Sequence, residues 1–202
     1  VDVSVVVPYT DEVWRGLAYR RAVPSAKALG LNVIDGYGPT LHEARNNGLA
    51  AVQTEWVVHL DADDELEAGY VEAMTSGTAD VRAAAVRYIH SGRRAEEPRM
   101  PTVAGHRHTC VAECLPYGNW LVVGAAVRTA LVRQVGGWRD FPWSEDWDLW
   151  LRCHLAGATF EPIHGAIYRA HVRANSRNRN QSRAARLDAH RAIATANGVP
   201  VP

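Results

Sequence analysis

The chain has little cysteine, a single lysine, no net charge and no long apolar run in its 202 residues. Three cysteines (Cys110, Cys114, Cys153) are too few and too odd in number for a disulfide framework, which predicts a reducing, cytoplasmic setting. No apolar stretch approaches the ~18–20 residues that cross a bilayer, and the first residues lack the basic-then-apolar pattern of a secretory signal. Basic and acidic residues balance at 22 each, so no global field draws the protein to nucleic acid or membrane. Lys27 aside, every basic residue is arginine, a bias that says nothing of function. The balance is uneven along the chain. Residues 164–202 hold seven arginines against one acid, Asp188, and the remainder is correspondingly acidic. What is plentiful is apolar surface: 47% hydrophobic residues suffice for a sizeable core, and the length predicts one domain over residues 1–202.

Val3 to Val7 is a continuous β-branched run ended by Pro8, as in a strand buried on both faces of a parallel sheet. A helical pattern over residues 14–29 is interrupted by Pro24, and a short strand follows at residues 31–34. Thr40, with Glu43 three residues on, predicts a capped helix through Val52. Residues 55–60 read as a third strand that stops at Asp61-Ala62-Asp63-Asp64. This alternation predicts βαβ units and a doubly wound sheet, in which ligands sit at the carboxyl ends of strands. Asp35 and the Asp61–Asp64 cluster both fall there. Residues 91–118 are irregular. A strand at 122–127, a helix at 129–135, a helix from Ser144 as N-cap to about Ala156, two short strands (159–163 and 166–170) and a terminal helix at 182–196 complete the pattern.

Two acidic clusters could carry chemistry. Asp61 and Asp63, one residue apart at a strand end, can converge on a hard cation such as Mg²⁺ or Mn²⁺ bound together with phosphates; the plain alternative is a solvated turn. Glu145 and Asp146 suit a helix N-terminus for dipole reasons alone, yet a carboxylate there can also accept a proton from a hydroxyl. Trp147, Trp150 and Leu151 have core spacing, whereas Trp138 and Trp143 are candidates to contact a sugar ring. His106, His108, Cys110 and Cys114 are four potential zinc ligands, but their spacing is too tight and lacks a second half. The basic tail reads as a solvated face or as arginines (Arg173, Arg177, Arg179) closing on a diphosphate; nucleic-acid binding is the weakest alternative.

Six segments in order, Val5-Val6-Val7-Pro8-Tyr9, Ala44-Arg45-Asn46-Asn47-Gly48-Leu49, residues 59–66, Gly136-Gly137-Trp138, residues 145–152 and Tyr168-Arg169-Ala170-His171, resemble glycosyltransferase family 2. The resemblance covers residues 3–180. It implies an α/β GT-A (Rossmann-like) fold: a mostly parallel central sheet flanked by helices, with a small mixed second sheet. Residues 1–90 would form the nucleotide-binding half, 91–180 the acceptor and catalytic half, and 181–202 a C-terminal helix and tail. The resemblance further implies a metal-dependent, inverting transfer of a sugar from a nucleotide diphosphate-sugar, UDP first among them, to an acceptor hydroxyl. Pro8, Tyr9 and Thr10 would line the nucleotide pocket, Asp35 would bind the base and Arg45 the nucleotide. Asp61, Ala62 and Asp63 would face the donor, and Asp61, Asp63 and His171 would hold Mn²⁺ or Mg²⁺. Asp146 would be the general base and Glu145 would orient hydroxyls. The stretch Asp35-Gly36-Tyr37-Gly38 departs from the two acids and Gly-Ser common in the family, which leaves the base open. The acceptor is a glycan, protein or small molecule, and a short chain points to acceptor elements that are either minimal or supplied by a partner subunit, such as a second copy. A retaining transferase and a non-catalytic nucleotide-sugar- or nucleic-acid-binding protein are the alternatives.

Overall fold

A computed structural model describes residues 2–91, 93–103, 110–173 and 182–201. β1 (Val3–Tyr9) is buried along its whole length, as its unbroken apolar run requires, and pairs in parallel with β2 (Asn32–Tyr37) on one side and β3 (Trp56–His59) on the other. The β1–β2 crossover holds two helices, α1 (Glu12–Arg20) and α2 (Ala22–Ala28), where the sequence pattern suggested one interrupted helix. Asp11 caps α1 by accepting from the Trp14 N–H at 2.9 Å, and Pro24 sits in the first turn of α2, where its missing N–H is not needed. α3 (Leu41–Ala51) returns the chain to β3, capped by Thr40 as its spacing with Glu43 predicts.

The remaining strands are β4 (Glu65–Leu66), β5 (Val81–His90), β6 (Ala126–Arg128) and β7 (Phe160–Val172). The sheet order is β2-β1-β3-β6-β5-β7-β4. The strands expected to form a small second sheet instead continue the first, because β6 pairs antiparallel with β3 and carries the mixed half on from there. β7 replaces the two expected short strands. Its pairing with β5 jumps from Ala84↔Ile163 to Ala85↔Ile167, so residues 164–166 bulge without ending the strand. The other helices are α4 (Tyr70–Ser76), α5 (Thr129–Gln134), α6 (Glu145–Leu155) and α7 (Arg183–Asn197), with a 3₁₀ turn at Ala112–Tyr117. Ser182 caps α7, accepting from the Ala185 N–H at 3.1 Å. Among the described residues no helix is long and apolar enough to cross a membrane.

The chain leaves β1 for β2 on one side and returns through α3 to β3 on the other. That reversal opens a crevice at the carboxyl ends of β1 and β3, the place where α/β sheets bind ligands. α3 presses closely on this corner. A Cβ on Gly48 would lie 2.3 Å from Val6 Cγ1, and one on Gly36 would lie 2.4 Å from the Ala44 carbonyl oxygen. We therefore expect Gly48→Ala to cost about 2 kcal/mol through overpacking, read as a lowered urea midpoint at unchanged slope.

Candidate active site

The turn after β3 sets three carboxylates side by side. Asp61 projects to the crevice with its side chain 36% exposed. Asp63 is less exposed; its Oδ2 lies 2.6 Å from Nη2 of Arg173, and its backbone carbonyl accepts from Arg21 at 2.7 Å. Asp64 turns inward, accepting from the Tyr168 hydroxyl at 2.6 Å and from the His171 backbone N–H at 2.8 Å. Burial, then the charges of Asp63 and Asp61, pushes the Asp64 carboxyl well above the usual carboxylate range. Asp63 is raised by burial and by Asp61, with Arg173 opposing.

Facing this turn, α6 delivers Glu145 and Asp146. Ser144 was expected to cap α6 through its hydroxyl. Instead it takes the left-handed conformation (φ 57°) and makes no capping bond; among the described residues it is the one non-glycine at positive φ. A strained residue beside a candidate catalytic carboxylate is where strain serves a purpose, because it aims the first turn of the helix. Asp146 is partly buried, with Oδ2 accepting from the Asn119 amide at 2.9 Å and Oδ1 from the Trp147 N–H at 2.9 Å. Burial, then the Glu145 charge, raises its carboxyl to about 6, while Arg45 and these two bonds pull it down. A carboxylate poised near neutrality can take a proton and yet be ionised at pH 7.

Between the two clusters lies Arg45 from α3, only 2% exposed. Its Nη2 donates to Asp61 Oδ1 at 2.9 Å and its Nη1 to Glu145 Oε1 at 2.8 Å. Burial opposes its charge, but the two carboxylates outweigh burial and keep it a cation. The rest of the 44–49 segment is equally occupied. Asn46 exchanges two hydrogen bonds with the backbone of Trp138, both 2.8 Å, and Asn47 donates to the Tyr37 carbonyl. Trp138, expected at a sugar ring, is 2% exposed: Arg45 covers its face at 4.2 Å, and its indole N–H donates to His59 Nε2 at 3.1 Å. Burial, then Arg45, lowers His59 to about 3, which keeps it a neutral acceptor. Trp143 remains at the cavity, stacked on His190 at 5.2 Å.

The cavity measures about 680 Å³ and is bordered by Asp61, Asp64, Asn119, Glu145 and Asp146, with an apolar wall that includes Val86, Leu121 and Val123. Pro8, Tyr9, Thr10 and Asp35 do not line it; they stand at the ends of β1 and β2. There the exposed Asp35 accepts from the Tyr19 hydroxyl, and Tyr9 packs against the exposed Tyr37 with ring centroids 5.9 Å apart. Ala62 is buried in the turn.

The expected metal set is not gathered. Asp61 is engaged by Arg45 and Asp63 by Arg173, while the His171 ring lies 2.6 Å from Glu65 Oε2. Among the described residues no three His, Cys, Asp or Glu side chains converge as a metal cage. The two carboxylates do fit a hard divalent cation, because they crowd negative charge that such an ion would relieve. His171 is placed with Glu65 instead. His106, His108, Arg177 and Arg179 lie outside the described residues, and Cys110 and Cys114 are buried thiols. Sequence reasoning missed Asn119, Asp64 and Tyr19. Asn119 sits in an irregular stretch without pattern, whereas the third acid of the Asp61–Asp64 turn was a usable signal for Asp64.

An acidic turn at the switch point of a Rossmann-like sheet, faced by carboxylates at a helix start, defines a GT-A-type glycosyltransferase fold. The glycosyl transferase family group 2 model matches residues 56–184, and the chain belongs to that family. The crystal structure of S. aureus TarS 1–349 in complex with UDP-GlcNAc is similar at a TM-score of 0.62 and 15% identity, covering 96% of this chain and 66% of that one. A structure of S. aureus TarS matches at a TM-score of 0.57 and 17% identity, covering 96% of this chain and 39% of that one. The chain thus spans less than two thirds of the length of these structures. No curated protein matches it.

Proposed function

We propose that the protein is an inverting glycosyltransferase that moves a sugar from a UDP-sugar to an acceptor hydroxyl, with Asp146 as general base. The observation that carries this reading is the half-buried Asp146 at the wall of a 680 Å³ cavity, opposite the Asp61 turn and held by Asn119. The acceptor hydroxyl enters the cavity and gives its proton to Asp146 as its oxygen attacks the anomeric carbon. The diphosphate leaves from the other face, so the configuration inverts. Glu145, fixed by Arg45, holds the first turn of α6 in place while this occurs. A divalent cation bound by Asp61 and Asp63 would supply Lewis-acid neutralisation of the leaving diphosphate. The neighbouring TarS structures with UDP-GlcNAc and with UDP support a uridine donor.

The end of β2 supports the same base. The Tyr19 hydroxyl occupies Asp35 Oδ2, so Oδ1 can accept from an imide N–H such as that of uracil, and a cytosine ring nitrogen would meet a lone pair there. Calorimetric titration is expected to give UDP at least tenfold tighter binding than CDP, with the preference lost in Asp35→Asn. Equal binding of the two diphosphates would refute the uridine assignment. The enzymatic reading itself is tested by UDP release from a panel of UDP-sugars with pyranoside acceptors and a divalent cation; release must occur and must fall at least about 100-fold in Asp146→Asn.

A further inference from the structure

We propose that Arg45 is a positioning residue, a buried strut that sets the distance between the donor-side carboxylate Asp61 and the first turn of the catalytic helix, and that it makes no contact with the nucleotide. The inference rests on the transferase reading for its kinetic consequence, but its geometry is independent of it.

The guanidinium is buried at the wall of the cavity, with both terminal nitrogens and one face taken up by protein. One edge donates to Asp61 and another to Glu145, residues 16 and 100 positions away in sequence. Its face rests on Trp138 at 4.2 Å, and Trp138 is itself fixed by Asn46 and by His59, two residues before Asp61. With both Nη groups committed to carboxylates and 2% of the residue exposed, the cation offers a diphosphate no terminal nitrogen that is not already donating. A planar fork suits the task, since it offers two directed donors to two carboxylates at once, which an ammonium cannot do with the same geometry. Removing it would leave Asp61 and Glu145 as facing anions with nothing between them. The first turn of α6 would then shift, carrying Asp146 with it, and a displacement of about 1 Å at a reacting group costs on the order of 10²-fold in rate.

The experiment compares Arg45→Met and Arg45→Lys with the native chain in three readouts: kcat for UDP release, UDP affinity by calorimetry, and the Asp146 titration by ¹³C NMR, assigned with Asp146→Asn. The charged or titratable groups bordering the same cavity are Arg45 from α3, Asp61 and Asp64 from the β3 turn, Glu145 from α6, His190 from α7, and three tyrosines. Only Arg45 is changed, and it is the cation that holds Asp146 down, so the Asp146 midpoint and the acid limb of the pH–rate profile should both move to higher pH in Arg45→Met. We expect Arg45→Met to lower kcat about 100-fold with UDP affinity within twofold of native, and Arg45→Lys to fall between. A loss of UDP affinity that parallels the loss of kcat would overturn the proposal in favour of direct nucleotide contact. An unmoved Asp146 titration would overturn it as well. Should Arg45→Met fail to fold, Arg45→Lys and Glu145→Gln release the strut from either end, with the same pairing of reduced kcat and unchanged UDP affinity expected. If the native chain releases no UDP from any donor, the transferase reading fails, while the strut is still decided by the backbone amide shifts of the first turn of α6 in Arg45→Lys, which keeps the charge: they must move from native, and unmoved shifts would overturn it.

Discussion

Asp146→Asn is expected to fold as the native chain does and to lose about 10²–10⁴-fold in kcat, the usual worth of a positioned general base. The amide keeps the shape of the carboxylate but has one acceptor oxygen where Asp146 uses two, so it keeps the bond from either Asn119 or the Trp147 N–H and loses the other, a stability cost of about 1 kcal/mol that leaves the fold intact. The pH profile gives a second, independent reading. A carboxyl raised to about 6 must be ionised to act as base, so native activity should fall as pH drops through about 6 and level off above it. In Asp146→Asn that acid limb should vanish from the residual activity. A native limb near pH 4 would indicate an ordinary exposed carboxylate and would remove Asp146 from the role.

The largest stability loss is expected three residues from the start of the same helix. Asp148 is fully buried and holds Arg139 at 2.6 Å, Arg152 at 2.8 Å and the Asn197 amide at 2.9 Å, tying α6 to the Gly136–Trp138 turn and to α7. Arg152 also donates to the Gly137 and Val135 carbonyls. Asp148→Ala leaves two guanidinium groups without their anion, one of them largely buried, and such a loss costs about 3–5 kcal/mol. The partial exposure of Arg139 places the expectation at the lower end, about 3 kcal/mol. Urea unfolding followed by tryptophan fluorescence should show a midpoint lowered accordingly. Activity measured well below that midpoint should be nearly native, because Asp148 does not border the cavity. Two acids within one short acidic segment are thereby separated: Asp146 borders the cavity and Asp148 staples the helix.

The parts of the protein that the sequence made legible are those where local chemistry and the fold agree. The β-branched run of β1, the Thr40 cap of α3 and the core spacing of Trp147, Trp150 and Leu151 each depend on near neighbours, and all three tryptophan-helix positions are fully buried. The acidic turn after β3 was visible because an apolar strand ends abruptly in aspartates. The rest depends on partners far along the chain. Pattern alone could not show that Arg45 meets a glutamate 100 residues away, that Trp138 is spent on Arg45 and His59, or that the His171 ring would face Glu65. Ser144 has the chemistry of a cap, but the left-handed turn that aims α6 removes its hydroxyl from the helix end. β5 went unrecognised because much of it is alanine and arginine, a poor strand signature; its pairing with β7 is what makes it a strand.

The claim beneath all of this is that a hydroxyl activated at Asp146 displaces UDP from the sugar in a single step. The most direct measurement is ¹H NMR of the anomeric signal during turnover of an α-linked UDP-sugar by the native protein. The account predicts a β-linked product from the first turnovers, formed together with UDP. An α-linked product would contradict it.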